Sequence, residues 1–231
     1  MESPLRRASG ARLALSIFAL VLVAFVPAAC AQFVPPARGT QVHDPSALKP
    51  PAGARVAIVE FEDMECPDCA RANPLLREAS EKYHIPWVRH DFPLSFHAWS
   101  FQAAVNARWF DQKGGKKLGD AYRDDIFAHQ PEFGDDLSRM ADFTQKWATD
   151  HKIALPFNVD PMGKLAAGVK EDYALGQRVG IEHTPTIWVV TEHSKGAPFV
   201  EVVDRTKLYQ LIDQALEDTK GAAPAKHSSG R

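Results

Sequence analysis

Residues 56–70 read V-A-I-V-E-F-E-D-M-E-C-P-D-C-A. Val56 to Phe61 is a short, nearly continuous apolar run interrupted by Glu60, the pattern of a buried central strand. Cys66 to Tyr83 has helical patterning, with Leu75, Leu76 and Ala79 on one side. A strand thus passes through a short turn into a helix, and Cys66 and Cys69 stand at the helix start. The first thiol falls where unpaired backbone N–H groups and the helix dipole favour a thiolate. The second lies one turn further in, near enough to close a small disulfide and less accessible. Cys66 is therefore the attacking thiol and Cys69 the resolving one. Pro67 suits a first helical turn, where no amide partner is needed.

Two other uses of such a pair fit less well. A zinc half-site needs two further Cys or His ligands at matching spacing, and the sequence holds no second C-x-x-C. A structural staple across a two-residue gap would remove little chain entropy. Redox exchange is the favoured reading. Four acids crowd the pair (Glu62, Asp63, Glu65 and Asp68), and a carboxylate beside Cys66 disfavours its thiolate.

Outward from the pair, the 231 residues suffice for one good-sized core, and the net charge of -2 gives no basic surplus for nucleic acid. Residues 86–91 (P-W-V-R-H-D) read as a second strand. From about 97 to 179 the pattern is helical. Ala98 to Gln112 carries Phe101, Ala104 and Trp109, and Lys117 to His129 carries Leu118, Tyr122 and Phe127 before a break at Gln130-Pro131. Asp136 to His151 carries Met140, Phe143 and Trp147, and a helix beyond Pro161 carries Leu165, Val169 and Tyr173. These stripes read as core. Strands return at T-I-W-V-V-T (186–191) and F-V-E-V-V-D (199–204), and an amphipathic helix follows Asp204. Residues 32–54, with five prolines, read as an extended linker, and 219–231 as a disordered tail.

Residues 1–31 stand apart. Arg6, Arg7 and Arg12 precede a 14-residue apolar run, Leu13 to Val26, and then P-A-A-C-A. That describes a secretory signal peptide, since a membrane-spanning helix needs about 18 or more apolar residues. Ala29-Cys30-Ala31 fits a cleavage site. A-A-C also resembles the end of a lipobox that would lipidate Cys30, although Pro27 stands where Leu is preferred. Either way Cys66 and Cys69 are left as the single pair, in a compartment that permits disulfides.

V-E-F-E-D-M-E-C-P-D-C-A, D-F-P-L-S-F-H and V-G-I-E-H-T-P-T-I-W-V-V together resemble the DsbA-like thiol-disulfide oxidoreductases of the thioredoxin superfamily. The likeness spans about residues 55–215. It implies an α/β thioredoxin fold with an inserted all-helical subdomain at about 97–179, within a domain ending near 218. It implies that Thr184-Pro185 is the cis-proline pair opposite the cysteines, leaving the Thr184 backbone free to pair with a substrate strand. Glu60 then resembles the family's buried carboxylate, relaying the proton of Cys69, and Pro74 its helix kink. No cofactor or metal is called for. The implied partners are protein thiols or disulfides and a membrane redox protein that resets the cysteines, in the periplasm or an equivalent extracytoplasmic space.

At two positions the chain departs from that family. His183 precedes Thr184 where relatives commonly have Gly, and when protonated it would favour a nearby thiolate. Asp68 stands between the cysteines where strong oxidases often carry His. The acids therefore point to a moderate oxidant, with a potential between about -120 and -270 mV. A reductase or isomerase is the alternative within the enzyme class; a chaperone, or a metal carrier using Cys66, Cys69 and His183, is the alternative outside it.

Overall fold

The computed structural model describes residues 39–225; residues 1–38, which include the expected signal peptide and Cys30, and the last six residues lie outside them. Strand β1 (Val56–Glu62) is buried along its whole length because it has a neighbour on each side. It pairs in parallel with β2 (Trp87–Asp91) and antiparallel with β3 (Thr186–Thr191), which in turn pairs antiparallel with β4 (Phe199–Glu201), giving the order β2-β1-β3-β4. Helix α1 (Pro67–Tyr83) connects β1 to β2, as a parallel crossover requires. Between β2 and β3 lie α2 (Ser100–Gly114), α3 (Lys116–Phe133), α4 (Leu137–Asp150) and α5 (Lys164–Val179), and α6 (Leu208–Asp218) follows β4. This is the thioredoxin arrangement with a helical insertion.

Alternation along β1 decides what lies beneath the cysteines. Val56 and Ile58 pack with Ala72 and Leu76 of α1 and Ile212 of α6. Ala57, Val59 and Phe61 pack on the other face with Phe92, Val179 and Trp188. Glu60 and Glu62 therefore share the α1 side. The insertion has its own core around Trp99, Phe110, Tyr122 and Met140, and that core runs on to Met64 and Cys69.

Four local expectations change. Helix α3 does not break at Gln130-Pro131 but continues to Phe133, ending before Gly134 at φ 53°. A proline in a last turn removes one amide without forcing a stop. Phe101 is 36% exposed and lies off the core stripe that buries Trp109. The final strand is only Phe199–Glu201, since Asp204 turns to cap the next turn through the Thr206 N–H at 3.0 Å. The segments flanking the domain are also packed. Leu48 is buried on the Trp188 face, and the His43 N–H donates to the Val179 carbonyl at 2.9 Å. At the other end Thr219 is buried, and Ala225 exchanges backbone hydrogen bonds with Gly53 and Ala54 at 2.9 Å each. Val42, Ala47 and Leu48 supply apolar cover that the proline count conceals.

Candidate active site

Cys66 is the N-cap of α1, in extended conformation (φ -74°, ψ 119°), with Pro67 following as the first helical residue. No side chain caps this end. The free N–H groups of Asp68 and Cys69 are thus available to the Cys66 sulfur. Cys66 is 8% exposed and Cys69 fully buried, and both are free thiols.

Their environments separate the two sulfurs chemically. A hydrogen bond from the Cys69 thiol, then donation from Thr184 and from the backbone at the helix start, outweighs burial and lowers the Cys66 thiol to about 6. Burial, and the hydrogen bond that Cys69 gives to Cys66, push Cys69 well above its ordinary value. The pair has one ready nucleophile and one thiol that must be deprotonated on demand.

The Thr184-Pro185 peptide is cis, and the Thr184 carbonyl lies 3.3 Å from Cys66 Sγ as acceptor for the thiol. Thr184 Oγ1 is buried with no hydrogen-bond partner among the described residues, which leaves its hydroxyl free to donate to a thiolate once Cys66 ionises. Beneath the pair, Glu60 is 1% exposed and accepts from Trp87 Nε1 at 3.0 Å. Burial, with the charge of Glu62 adding to it, raises Glu60 to about 8, so its carboxyl is largely protonated at neutral pH. Its field is also felt at Cys69. Pro74 lies within α1, and its ring is exposed.

Each of the four acids has partners of its own. Glu62 is ion-paired with Arg89 (2.7 Å) and Arg123 (2.9 Å). The Asp63 carboxylate accepts from the N–H of Leu94 at 2.6 Å and of Glu65 at 2.8 Å, and lies 2.7 Å from His97 Nδ1. Glu65 accepts from the N–H of Trp99 (2.7 Å) and Ser100 (3.0 Å), binding the start of α2. Asp68 is paired with Arg205 at 2.6 Å and Arg71 at 3.0 Å. The acids are structural clasps, each carboxylate engaged by a cation or a backbone N–H, and no carboxylate of theirs stands among the leading causes of the Cys66 shift.

His183 is exposed; its carbonyl accepts from Thr186 Oγ1 at 2.6 Å. Its side chain lines a cleft with Asp68, Pro185 and Arg205 and does not lie among the groups that shift Cys66. Among the described residues no group of three or more His, Cys, Asp or Glu side chains is placed to hold a metal ion.

Three site residues escape a reading of the sequence. Gln130 of α3 donates from Nε2 to the carbonyls of Met64 (2.6 Å) and Cys66 (3.2 Å). His97 reaches Asp63 across 34 residues, and Arg205 reaches Asp68 across 137. No local pattern announces such pairings, although His97 ends the stretch D-F-P-L-S-F-H.

Comparison with known proteins accords with this geometry. The family model described as Thioredoxin matches residues 52–205. Among solved structures, a double cysteine-to-alanine variant of α-DsbA1 from Wolbachia pipientis superposes with a TM-score of 0.59 at 14% identity, covering 73% of this chain and 89% of that one. The thiol-disulfide exchange protein α-DsbA2 of the same organism gives 0.56 at 18%, covering 72% and 84%. BdbD of Bacillus subtilis gives 0.55 at 19%, covering 79% and 98%. At these identities the likeness is one of fold. A curated relative, the Na(+)/H(+) antiporter NhaA 3 of Salinispora tropica, is 26% identical over 184 residues, which cover 78% of this chain and 27% of that protein. The chain therefore spans about a quarter of the length of that relative. Among the described residues no helix is long and apolar enough to cross a membrane.

Proposed function

The chain belongs to the thioredoxin family, and on that premise we propose that it is an extracytoplasmic thiol-disulfide oxidoreductase exchanging the Cys66–Cys69 disulfide with protein thiols. One observation carries this reading: the Cys66 thiol is lowered to about 6 at a helix N-terminus while its partner is raised. In the donating direction a substrate thiolate attacks Cys66 Sγ. The Cys66–Cys69 bond breaks, and Cys69 leaves with the electron pair and takes up a proton, with Glu60 as the buried relay. A second substrate thiolate then attacks the substrate sulfur of the mixed disulfide and releases Cys66 as a thiolate. The substrate loses two electrons and the pair gains them. A membrane redox protein that reoxidises the cysteines closes the cycle.

The strength of the oxidant follows from Cys66. Thiols of this kind range from about 3.5 in the strongest oxidases to about 7 in reductases, so a value of about 6 supports a moderate oxidant. The expected potential lies between about -120 and -270 mV. It rests on the Cys66 thiol itself, since the acids are paired elsewhere. A substrate strand would lie beside Thr184-Pro185, with the cleft of Asp68, His183 and Arg205 along its flank. Residues 1–31 would carry the chain to the periplasm or its equivalent.

Trapping tests the reading. Cys69→Ala removes the resolving thiol and should accumulate mixed disulfides through Cys66 in cells. A folded variant that traps no protein would overturn the proposal. The redox state of the wild-type pair in cells then decides direction: a disulfide at steady state supports the oxidant, a dithiol the reductase.

A further inference from the structure

The helical insertion reaches the cysteine loop through a fully buried carboxylate. The Asp63 side chain is inaccessible to solvent, yet it is ionisable and so must be satisfied. Of the groups that satisfy it, two lie beyond β2, at the entrance to the insertion: the Leu94 N–H at 2.6 Å and His97 Nδ1 at 2.7 Å. A carboxylate only accepts, so His97 donates. The main chain of the same residue touches both halves of the pair. The Asp63 N–H points at Cys69 Sγ (3.4 Å), and its carbonyl accepts from the Cys66 N–H at 3.0 Å. Asp63 is thereby fixed from outside the loop by its side chain, and fixes the cysteines from inside by its backbone.

We propose that His97 is a positioning residue for the resolving step of thiol exchange, holding Asp63 so that its N–H stabilises the Cys69 thiolate. The proposal rests on the exchange chemistry assigned above but not on any particular protein substrate. Cys69 is fully buried, away from water, and the Asp63 N–H is the backbone donor aimed at its sulfur, where a developing anion would form. Cys66 has other donors, from Thr184 and the helix start. Loosening Asp63 should therefore fall on Cys69 and spare Cys66.

Glutathione disulfide separates the two steps without a protein substrate. The Cys66 thiolate attacks one sulfur of glutathione disulfide, forming a mixed disulfide and releasing one glutathione thiolate. Cys69, giving up its proton, then attacks Cys66 Sγ, closing the Cys66–Cys69 disulfide and releasing the second glutathione thiolate. The pair loses two electrons and glutathione disulfide becomes two glutathione molecules. In His97→Ala the second step should slow on the order of fivefold to tenfold, the kinetic equivalent of one lost hydrogen bond. The pH dependence of the first step should stay that of the wild type. His97→Asn, which keeps a donor near the Nδ1 position, should recover most of the resolving rate.

A resolving rate unchanged in His97→Ala would overturn the assignment. So would equal slowing of both steps, or a His97→Asn variant as slow as His97→Ala, either of which marks a merely structural side chain. Failure to trap protein substrates in cells would count against the proposed function and leave this assignment standing.

Discussion

Arg205 Nη2 lies 2.6 Å from the Asp68 carboxylate, and the Nη1 of the same guanidinium donates to the Asp68 carbonyl at 3.1 Å. The acid between the two cysteines is thus held by a residue from the turn before α6, with Arg71 on its other side at 3.0 Å. The pairing explains how a C-P-D-C sequence keeps a low first thiol.

Arg205→Ala should undo that arrangement. Asp68 would keep only the exposed Arg71, and its charge would act on Cys66, moving the thiol up from about 6. Alkylation of Cys66 near that pH should slow about twofold to fivefold, and the disulfide should become less oxidising. Asp68→Asn should shift the thiol the opposite way. An unchanged alkylation profile in both variants would mean that Asp68 has no influence on the sulfur.

Stability of the reduced protein should rise with pH through the Cys66 titration. The native thiol is lowered to about 6, whereas an unfolded thiol titrates near about 8.5. A lowered group contributes its full stability above the unfolded value and loses it as pH falls through the native one. Cys69, raised in the native state, adds no opposing slope until the unfolded thiol begins to ionise. Between about pH 6 and 8.5 the reduced form should gain on the order of 2–3 kcal/mol relative to Cys66→Ala. Urea melts of both proteins under reducing conditions would measure it; parallel pH profiles would contradict a thiolate at this site.

What the sequence discloses about this site has a physical boundary. β1 and α1 are legible because a continuous apolar run and an amphipathic helix are local patterns. Thr184-Pro185 is legible only through resemblance, since nothing near it in the chain says what it faces. Side-chain pairings are another matter. Glu62 with Arg123, Asp63 with His97 and Asp68 with Arg205 join residues that the fold alone brings together. Read along the chain, the acids look like a local field on Cys66. In three dimensions each has a cation or a backbone N–H of its own. Pro131 misleads for a related reason, because a helix tolerates the loss of one amide when its own last turn is ending.

Glu60→Gln should separate stability from turnover. Burial and the neighbouring Glu62 raise the native carboxyl to about 8, against about 4.3 unfolded. A raised carboxyl contributes stability below the unfolded value, and that contribution is lost as pH rises toward the native one. Gln keeps an oxygen for Trp87 Nε1 and never ionises. The variant should therefore be more stable at neutral pH, by on the order of a few kcal/mol, with the difference growing up to about pH 8. It should also resolve mixed disulfides more slowly, most clearly above about pH 8 where the native carboxyl is ionised and able to take the Cys69 proton. Equal stability at pH 5 and 8 relative to wild type would show that Glu60 is already ionised in the folded chain.

Arg123 binds the insertion to the sheet beneath this site. Its Nη1 donates to Glu62 Oε1 at 2.9 Å and to Asp91 Oδ1 at 2.7 Å, and all three side chains are buried. Burial alone would raise the Asp91 carboxyl, yet Arg123 and Arg108 hold it below its ordinary range. Its stabilising contribution is complete above about pH 3.9 and is lost as pH falls through the lower native value. Arg123→Gln removes the central cation and leaves two buried carboxylates with only Arg89 and Arg108. The expected loss is about 3–5 kcal/mol at neutral pH, and acid unfolding should begin at higher pH than in the wild type. The urea midpoint should fall with little change in slope if the chain still unfolds in one step. A loss below about 1 kcal/mol would mean that Arg89 and Arg108 alone neutralise the cluster, and that α3 is held to the sheet by its apolar contacts rather than by this guanidinium.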